Sequence, residues 1–280
     1  MTATTTEESC KIRTMTGARI DIKTCLLSEA ANGQSLQGDL YLPPAGESNR
    51  PAVVLVFGGS WKSGDRTQQK AYGLALAKAG FVCLATDYRL SSEAHWPAQL
   101  CDVRVAIRWL RAHAADYAVD PRRIAVSGNS SGGHLALMAA ATAAGADVGE
   151  LDDRDWAAQS SEISAVCAFY PPTELTDLDR DSADDTVSQL LGPDKTRADA
   201  ARASPLSHAN TTFPPLLLIS GGTDLRVPVS HSHRLQAALE ASGNTVELHV
   251  FAQQGHAFDA DRDFAQLCGA IMVQFFKRFA

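Results

Sequence analysis

Three side chains, Ser130, Asp224 and His256, have the types, order and spacing for nucleophilic acyl chemistry. Ser130 lies in Gly128-Asn129-Ser130-Ser131-Gly132, between the apolar run Ile124-Ala125-Val126 and an alanine-rich stretch that starts at His134. A serine at a strand-to-helix corner is held in a strained backbone conformation that pushes its hydroxyl into the open, and flanking glycines keep Cβ atoms out of that corner. Of the serines crowded here, only Ser130 has glycine two residues away on both sides. A neutral alcohol needs a base to become a nucleophile, and the base needs an acid to orient it. Asp224 closes the loop Gly221-Gly222-Thr223-Asp224 after the apolar run Pro215 to Ile219. His256 sits in the loop Gln253 to Phe258, after the alternating run Thr245 to Phe251. Serine, acid and base therefore each follow a predicted strand, at the carboxyl ends where open α/β sheets bind ligands. Taken alone, Asp224 reads equally well as a helix cap. His249 falls inside the strand pattern and is read as structural. His231 and His233 are read as surface residues opening a helix rather than as a metal pair.

Acyl transfer also needs donors for an oxyanion: the N–H after the nucleophile and one from the loop after an earlier strand. Pro51 to Val56 is that strand, and Phe57-Gly58-Gly59-Ser60-Trp61 is that loop. Gly59 and Ser131 are the expected N–H donors, with Ser60 as a third candidate. Trp61, Trp96 and Tyr170 are the aromatic candidates for pocket walls.

The elements that must position these groups follow from periodicity. Strands are expected near 20–28, 35–42, 51–57, 81–86, 122–127, 163–169, 215–220 and 245–251, and helices near 67–79, 97–116, 131–144, 229–242 and 261–279. Strands alternating with helices after residue 50 imply a mostly parallel, eight-stranded sheet with helices on both faces. The first two strands, linked through Asn32-Gly33, read as an antiparallel hairpin at its edge. Residues 1–280 are expected to form one domain without a large cap. Within it, 1–19 is a flexible or peripheral segment and 171–210 an acidic excursion beside the active site that shapes the substrate entrance.

Composition narrows the function classes. The chain has 280 residues, 45% of them hydrophobic, and a formal charge of −7 from 25 basic and 32 acidic side chains, which disfavours nucleic acid as a partner. Arg104, Arg108 and Arg111 share one helical face and are read as a solvated stripe opposite Leu100, Val103, Ile107 and Leu110. Six cysteines without a C-x-x-C pair are read as reduced thiols. The polar start, Met1 to Ser9, is neither a secretion signal nor a membrane anchor, and no apolar run approaches the roughly 20 residues that span a bilayer. A cytoplasmic location is expected. Two motif mimics fail: Gly59 to Gly64 has phosphate-loop spacing with Asp65 where a lysine is needed. Asp177, Asp179 and Asp181 begin like a calcium loop, but Ser182 and Ser188 stand where Gly and Glu are required.

From about Gly38 to Phe276 the sequence resembles the bacterial carboxylesterases of the α/β-hydrolase superfamily. The branch is the one that includes acetylxylan- and feruloyl-esterase-like proteins, near the hormone-sensitive-lipase-like group. The markers are Tyr41-Leu42-Pro43-Pro44, Gly58-Gly59-Ser60-Trp61 with Gly64-Asp65, Asp87-Tyr88-Arg89-Leu90, Pro97, Asp102, Arg108-Trp109-Leu110, Asp120-Pro121 with Arg123-Ile124, Gly128 to His134, Tyr170 to Leu175, Val227-Pro228 and Gly255-His256. Such sequences usually read H-G-G-G before the tryptophan. Here Phe57 replaces the histidine and Ser60 the last glycine, and a phenyl ring cannot make the hydrogen bonds with which an imidazole holds that loop. The resemblance implies hydrolysis of a small-molecule carboxylic ester through an acyl-enzyme, with no metal or organic cofactor and with a homodimer as an open option. An arylformamidase or peptidase-like amide hydrolase on the same fold is the main alternative. A non-catalytic binding protein on a hydrolase fold is the other, although such proteins typically lose a triad member.

Overall fold

The computed structural model describes residues 9–13, 19–29, 35–151, 155–176, 185–209 and 212–280. Among them, nine strands form one sheet: β1 (Ser9–Arg13), β2 (Arg19–Glu29), β3 (Ser35–Leu42), β4 (Arg50–Val56), β5 (Val82–Thr86), β6 (Val119–Asn129), β7 (Val166–Phe169), β8 (Leu216–Gly221) and β9 (Val246–Phe251). Seven α-helices accompany them: α1 (Lys70–Lys78), α2 (Ala98–Ala112), α3 (Ser131–Ala143), α4 (Thr186–Leu191), α5 (Arg197–Arg202), α6 (Ser230–Ala241) and α7 (Arg262–Phe279). The sheet order is β1-β2-β3-β5-β4-β6-β7-β8-β9. The first three pairings are antiparallel and every pairing from β5 through β9 is parallel. All eight expected strands are present. β1 is a ninth that the sequence reading left in the peripheral segment, and it lies outside β2, so the β2–β3 pair is one strand in from the edge. The Asn32-Gly33 link and the Asp177 to Asp181 calcium mimic lie outside the described residues.

β4 shows why helices cover both faces. Ala52, Val54 and Val56 belong to the core on one side, with Ile107 of α2 and Leu135 and Met138 of α3. Val53 and Leu55 belong to the other, with Leu76 of α1 and Met272, Phe275 and Phe276 of α7. Successive strand residues point to opposite faces, so an all-apolar strand needs an apolar partner on each. On α7, Cys268, Met272, Phe275 and Phe276 recur at helical spacing and form its buried stripe.

The arginine face of α2 is not a solvated stripe. Arg104 and Arg108 are buried; Arg104 donates to Thr142 Oγ1 on α3, and Arg111 donates to the carbonyls of Pro121, Ser160 and Glu162. With α2 packed against both the sheet and α3, much of its polar face is also covered, and the Arg104 and Arg111 guanidinium groups donate to a hydroxyl and to carbonyls there. His231 is likewise buried rather than on the surface. Its Nδ1 accepts from the Thr173 amide at 3.2 Å and its carbonyl accepts from the Thr173 hydroxyl. The five cysteines whose side chains are described are free thiols, all buried.

The strand order places the site. From β4 the chain crosses to β5 on one side and then returns to β6 on the other. The loops leaving β4 and β6 therefore diverge, and the crevice outside their carboxyl ends is the topological switch point of the sheet.

Candidate active site

Ser130 stands at that switch point, between β6 and α3, with φ 51° and ψ −119°. This is a left-handed backbone that a non-glycine residue adopts only when its surroundings enforce it. The enforcement is visible. The Ser130 amide donates to the Phe169 carbonyl on β7 at 2.9 Å, and the Ser130 carbonyl accepts from the His134 amide at 2.9 Å, closing the first turn of α3. A Cβ at Gly132 would stand 2.2 Å from the Val56 carbonyl oxygen, so the elbow packs against β4 only because residue 132 is glycine.

Asp224 and His256 reach Ser130 from the loops after β8 and β9. The two loops are tied together, with the Gly222 amide donating to Phe251 O and the Thr223 amide to Gln254 O. Asp224 Oδ1 accepts from the Arg226 and Val227 amides, both at 2.9 Å, which turns Oδ2 toward the imidazole. His256 Nδ1–H donates to Asp224 Oδ2 at 2.7 Å, and Ser130 Oγ lies 2.9 Å from Nε2. With Nδ1 protonated against a carboxylate, Nε2 carries a lone pair able to accept a proton from the serine hydroxyl. Burial alone would raise the Asp224 carboxyl. The hydrogen bond from His256, the Val227 and Arg226 amides and the histidine charge outweigh it and hold the carboxyl below its usual range.

The loop after β4 turns over Ser130. Gly59 has φ 141°, and a Cβ there would sit 1.8 Å from the Ser63 carbonyl oxygen. Ser60 and Trp61 follow with φ 55° and 60°. Phe57 occupies the position that is a histidine in the sequences this chain resembles. It is buried and stacks on Tyr88 at 4.2 Å between ring centroids, and the Tyr88 hydroxyl donates to the Phe57 carbonyl at 3.3 Å. Stacking plus one hydrogen bond to the backbone thus holds the loop that an imidazole would otherwise hold.

Ser130 and His256 open into a cavity of about 580 Å³, lined also by Gly58, Gly59, Ser60, Asn129 and Tyr170. Tyr170 sets its ring edge-on to His256 at 4.7 Å. Trp61 and Trp96 are not walls. Trp61 is 2% exposed and Trp96 7%, and both pack on His134 behind the elbow. Trp61 Nε1 donates to His134 Nδ1 at 3.2 Å, so His134 Nε2 is the protonated nitrogen and donates to the Ala203 carbonyl at 2.7 Å. Burial pushes His134 down to about 4. Its two fixed roles, acceptor on one nitrogen and donor on the other, keep it neutral. The described residues of the 171–210 excursion include α4 and α5. They meet this rear cluster, through the Ala203 and Leu190 carbonyls, and are not among the cavity's lining residues.

A hydrogen-bonded network at the cavity floor escaped the sequence reading. The Asp259 carboxylate accepts from Tyr72 OH at 2.6 Å, Tyr170 OH at 2.5 Å and Asn129 Nδ2 at 2.8 Å. Gln69 Nε2 in turn donates to Asn129 Oδ1 at 3.1 Å. Burial, then the Asp259 charge, pushes both tyrosine hydroxyls well above their usual range, so they remain donors. The network joins α1, the residue before the nucleophile, the ring beside His256 and the loop that carries His256. A carboxylate three residues after the histidine was the available signal, but nothing local pairs it with Tyr72, 187 residues away.

Residues 38–239 match a family model described as BD-FAE. Esterase LipQ of Mycobacterium tuberculosis is 30% identical over 218 residues, covering 75% of this chain and 50% of LipQ. Esterase LipC of the same organism is 32% identical over 225 residues, covering 75% of this chain and 54% of LipC. The chain spans about half the length of these curated relatives. Among solved structures, Thermogutta terrifontis esterase 2 phosphoramylated by tabun superposes with a TM-score of 0.78 at 27% identity, covering 92% of this chain and 94% of that one. The same esterase has also been solved with butyrate bound. No helix among the described residues is long and apolar enough to cross a membrane.

Proposed function

Because the chain belongs to the BD-FAE family of α/β hydrolases, we propose that it hydrolyses short-chain carboxylic esters through an acyl-enzyme on Ser130. The observation that carries the reading is the unbroken hydrogen-bonded line from Ser130 Oγ to His256 to Asp224, at 2.9 and 2.7 Å, opening into a cavity. Ser130 Oγ attacks the ester carbonyl carbon while its proton passes to His256 Nε2. Asp224 holds the imidazole by Nδ1–H and stabilises its cation. The carbonyl oxygen becomes an oxyanion within reach of the Gly59 and Ser131 amides, with Ser60 as a third donor. As the tetrahedral intermediate collapses, the C–O bond to the alcohol breaks and His256 protonates the departing oxygen. Water, deprotonated by the same nitrogen, then releases the acid and regenerates Ser130. None of these steps calls on a metal or organic cofactor.

The family and the esterase names of its relatives favour an ester over an amide substrate, and the butyrate held by the Thermogutta esterase is of the acyl size proposed here. We place the protein in the cytoplasm, acting as a single domain on a small molecule. A panel of p-nitrophenyl esters, an aryl formamide and a peptide anilide tests the reading. Turnover of the acetate and butyrate esters at least about tenfold above the two amides in kcat/KM supports it. Preferential cleavage of the formamide or anilide, or of none, contradicts it.

A further inference from the structure

The cavity differs in charge from the protein around it. The chain carries −7 overall, yet apart from the triad histidine the charged residues lining the cavity are two cationic side chains, Lys62 and Arg226, and one carboxylate, Asp259. The Asp259 lone pairs are directed at Tyr72, Tyr170 and Asn129, so that carboxylate faces the protein. Arg226 is placed by the catalytic apparatus itself. Its amide donates to Asp224 Oδ1 at 2.9 Å, and its Nη2 donates to Ser60 Oγ at 2.8 Å. The guanidinium therefore bridges the acid loop and the oxyanion loop at the cavity rim. Its guanidinium is exposed to solvent, and among the described residues its side chain bonds a neutral hydroxyl and pairs with no carboxylate. A guanidinium offers five N–H donors in a planar fork that matches a carboxylate in two-point contact. Ester hydrolysis by Ser130, His256 and Asp224 has no step that calls on this side chain.

We propose that the site selects esters whose acyl or alcohol part carries a carboxylate, with Arg226 as the specificity-determining residue; this rests on the esterase reading above. Lys62 lines the same cavity and adds positive potential there. The anionic group docks against the Arg226 fork at the rim while the ester carbonyl lies on Ser130.

Two substrate pairs differ only in carboxylate against carboxamide. Monomethyl succinate and methyl succinamate carry the difference on the acyl side, and 4-acetoxybenzoate and 4-acetoxybenzamide on the alcohol side. For the wild type, the kcat/KM ratio of acid to amide should exceed one in at least one pair, and which pair shows it identifies the side. Arg226→Gln, which keeps a donor for Ser60, should lower that ratio about tenfold, equivalent to about 1.4 kcal/mol. Arg226→Glu should lower it further, and raising the salt concentration should lower the wild-type ratio because the contact is exposed to solvent. Ratios that stay within about twofold in both pairs after Arg226→Glu, with the amide esters still hydrolysed, overturn this specificity and leave the esterase standing. A wild type that cleaves neither these esters nor p-nitrophenyl acetate overturns both.

Discussion

Removing the Asp259 carboxylate should loosen the active site and destabilise the fold together, because one side chain holds three donors from separate parts of the chain. Hydrogen bonds to a charged partner contribute about 1.5–3 kcal/mol each, so three set a ceiling of about 4.5–9 kcal/mol. The four residues line an open cavity, and water can re-solvate the abandoned hydroxyls and amide, so we expect Asp259→Ala to cost about 2–4 kcal/mol. Asp259→Asn retains one acceptor oxygen and should cost less. The catalytic effect follows from position. Tyr170 borders His256 at 4.7 Å and Asn129 adjoins Ser130, and displacements of about 1 Å at reacting groups cost on the order of 10²-fold in rate. Urea unfolding paired with p-nitrophenyl acetate kinetics tests both parts. The expected pattern is a lower midpoint with an unchanged slope, and a fall in kcat of roughly 10- to 100-fold that Asp259→Asn partly restores. Stability within about 0.5 kcal/mol of wild type, with kcat unchanged, would refute the role given to this network.

Further outcomes follow from other contacts. Asp224→Asn should lower kcat by roughly 10²- to 10⁴-fold with little change in substrate affinity, since it disturbs the tautomer of His256 and not the cavity; near-normal turnover in steady-state assays would point to another acid. Buried His134 is held down to about 4 against an ordinary 6.5. Between those values the unfolded chain binds a proton that the folded chain refuses. Stability from this group is thus full above pH 6.5 and falls by about 3 kcal/mol as pH drops to about 4. His134→Gln should flatten the decline in unfolding free energy between pH 7 and 4.5, and parallel declines in the two proteins would count against it. Acyl preference should peak between acetyl and about butyryl. Each added methylene gains its ~0.8 kcal/mol only where apolar surface buries it, and Ser60, Gln69 and Asn129 interrupt the apolar surface that Tyr72, Tyr170 and alanines give the lining. A kcat/KM maximum at octanoate or longer across p-nitrophenyl esters would reveal an acyl tunnel.

Local chemistry was legible where it depends on neighbours in sequence. A glycine-flanked serine between a strand and a helix, and an acid and a base each just past an apolar run, mark the corners that β6, β8 and β9 must make. The strands themselves were legible because continuous apolar runs such as Val53 to Val56 suit a sheet covered on both faces. Long-range pairing was not legible. Trp61 and Trp96 flank catalytic loops in sequence, yet they enclose His134 behind the elbow, and which side of a turn an aromatic ring takes depends on backbone angles such as the positive φ at Trp61. The arginines of α2 followed a surface pattern and were covered by α3 and neighbouring loops. Tyr88 replaces the missing histidine's hold on the Phe57 loop from 31 residues away, and β1, Ser9-Cys10-Lys11-Ile12-Arg13, lacks the apolar run that marks the equally short β5 and declares itself only by pairing with β2.

The account rests most on Ser130 as the covalent nucleophile. Incubating the protein with a diethylphosphoryl ester and mapping the adduct by peptide mass spectrometry tests this directly. One adduct per chain on Ser130, lost with ester hydrolysis in Ser130→Ala but retained with most of the activity in Ser131→Ala, is the expected result. An adduct on another residue, or a Ser130→Ala protein that hydrolyses p-nitrophenyl acetate at the wild-type rate, would contradict it.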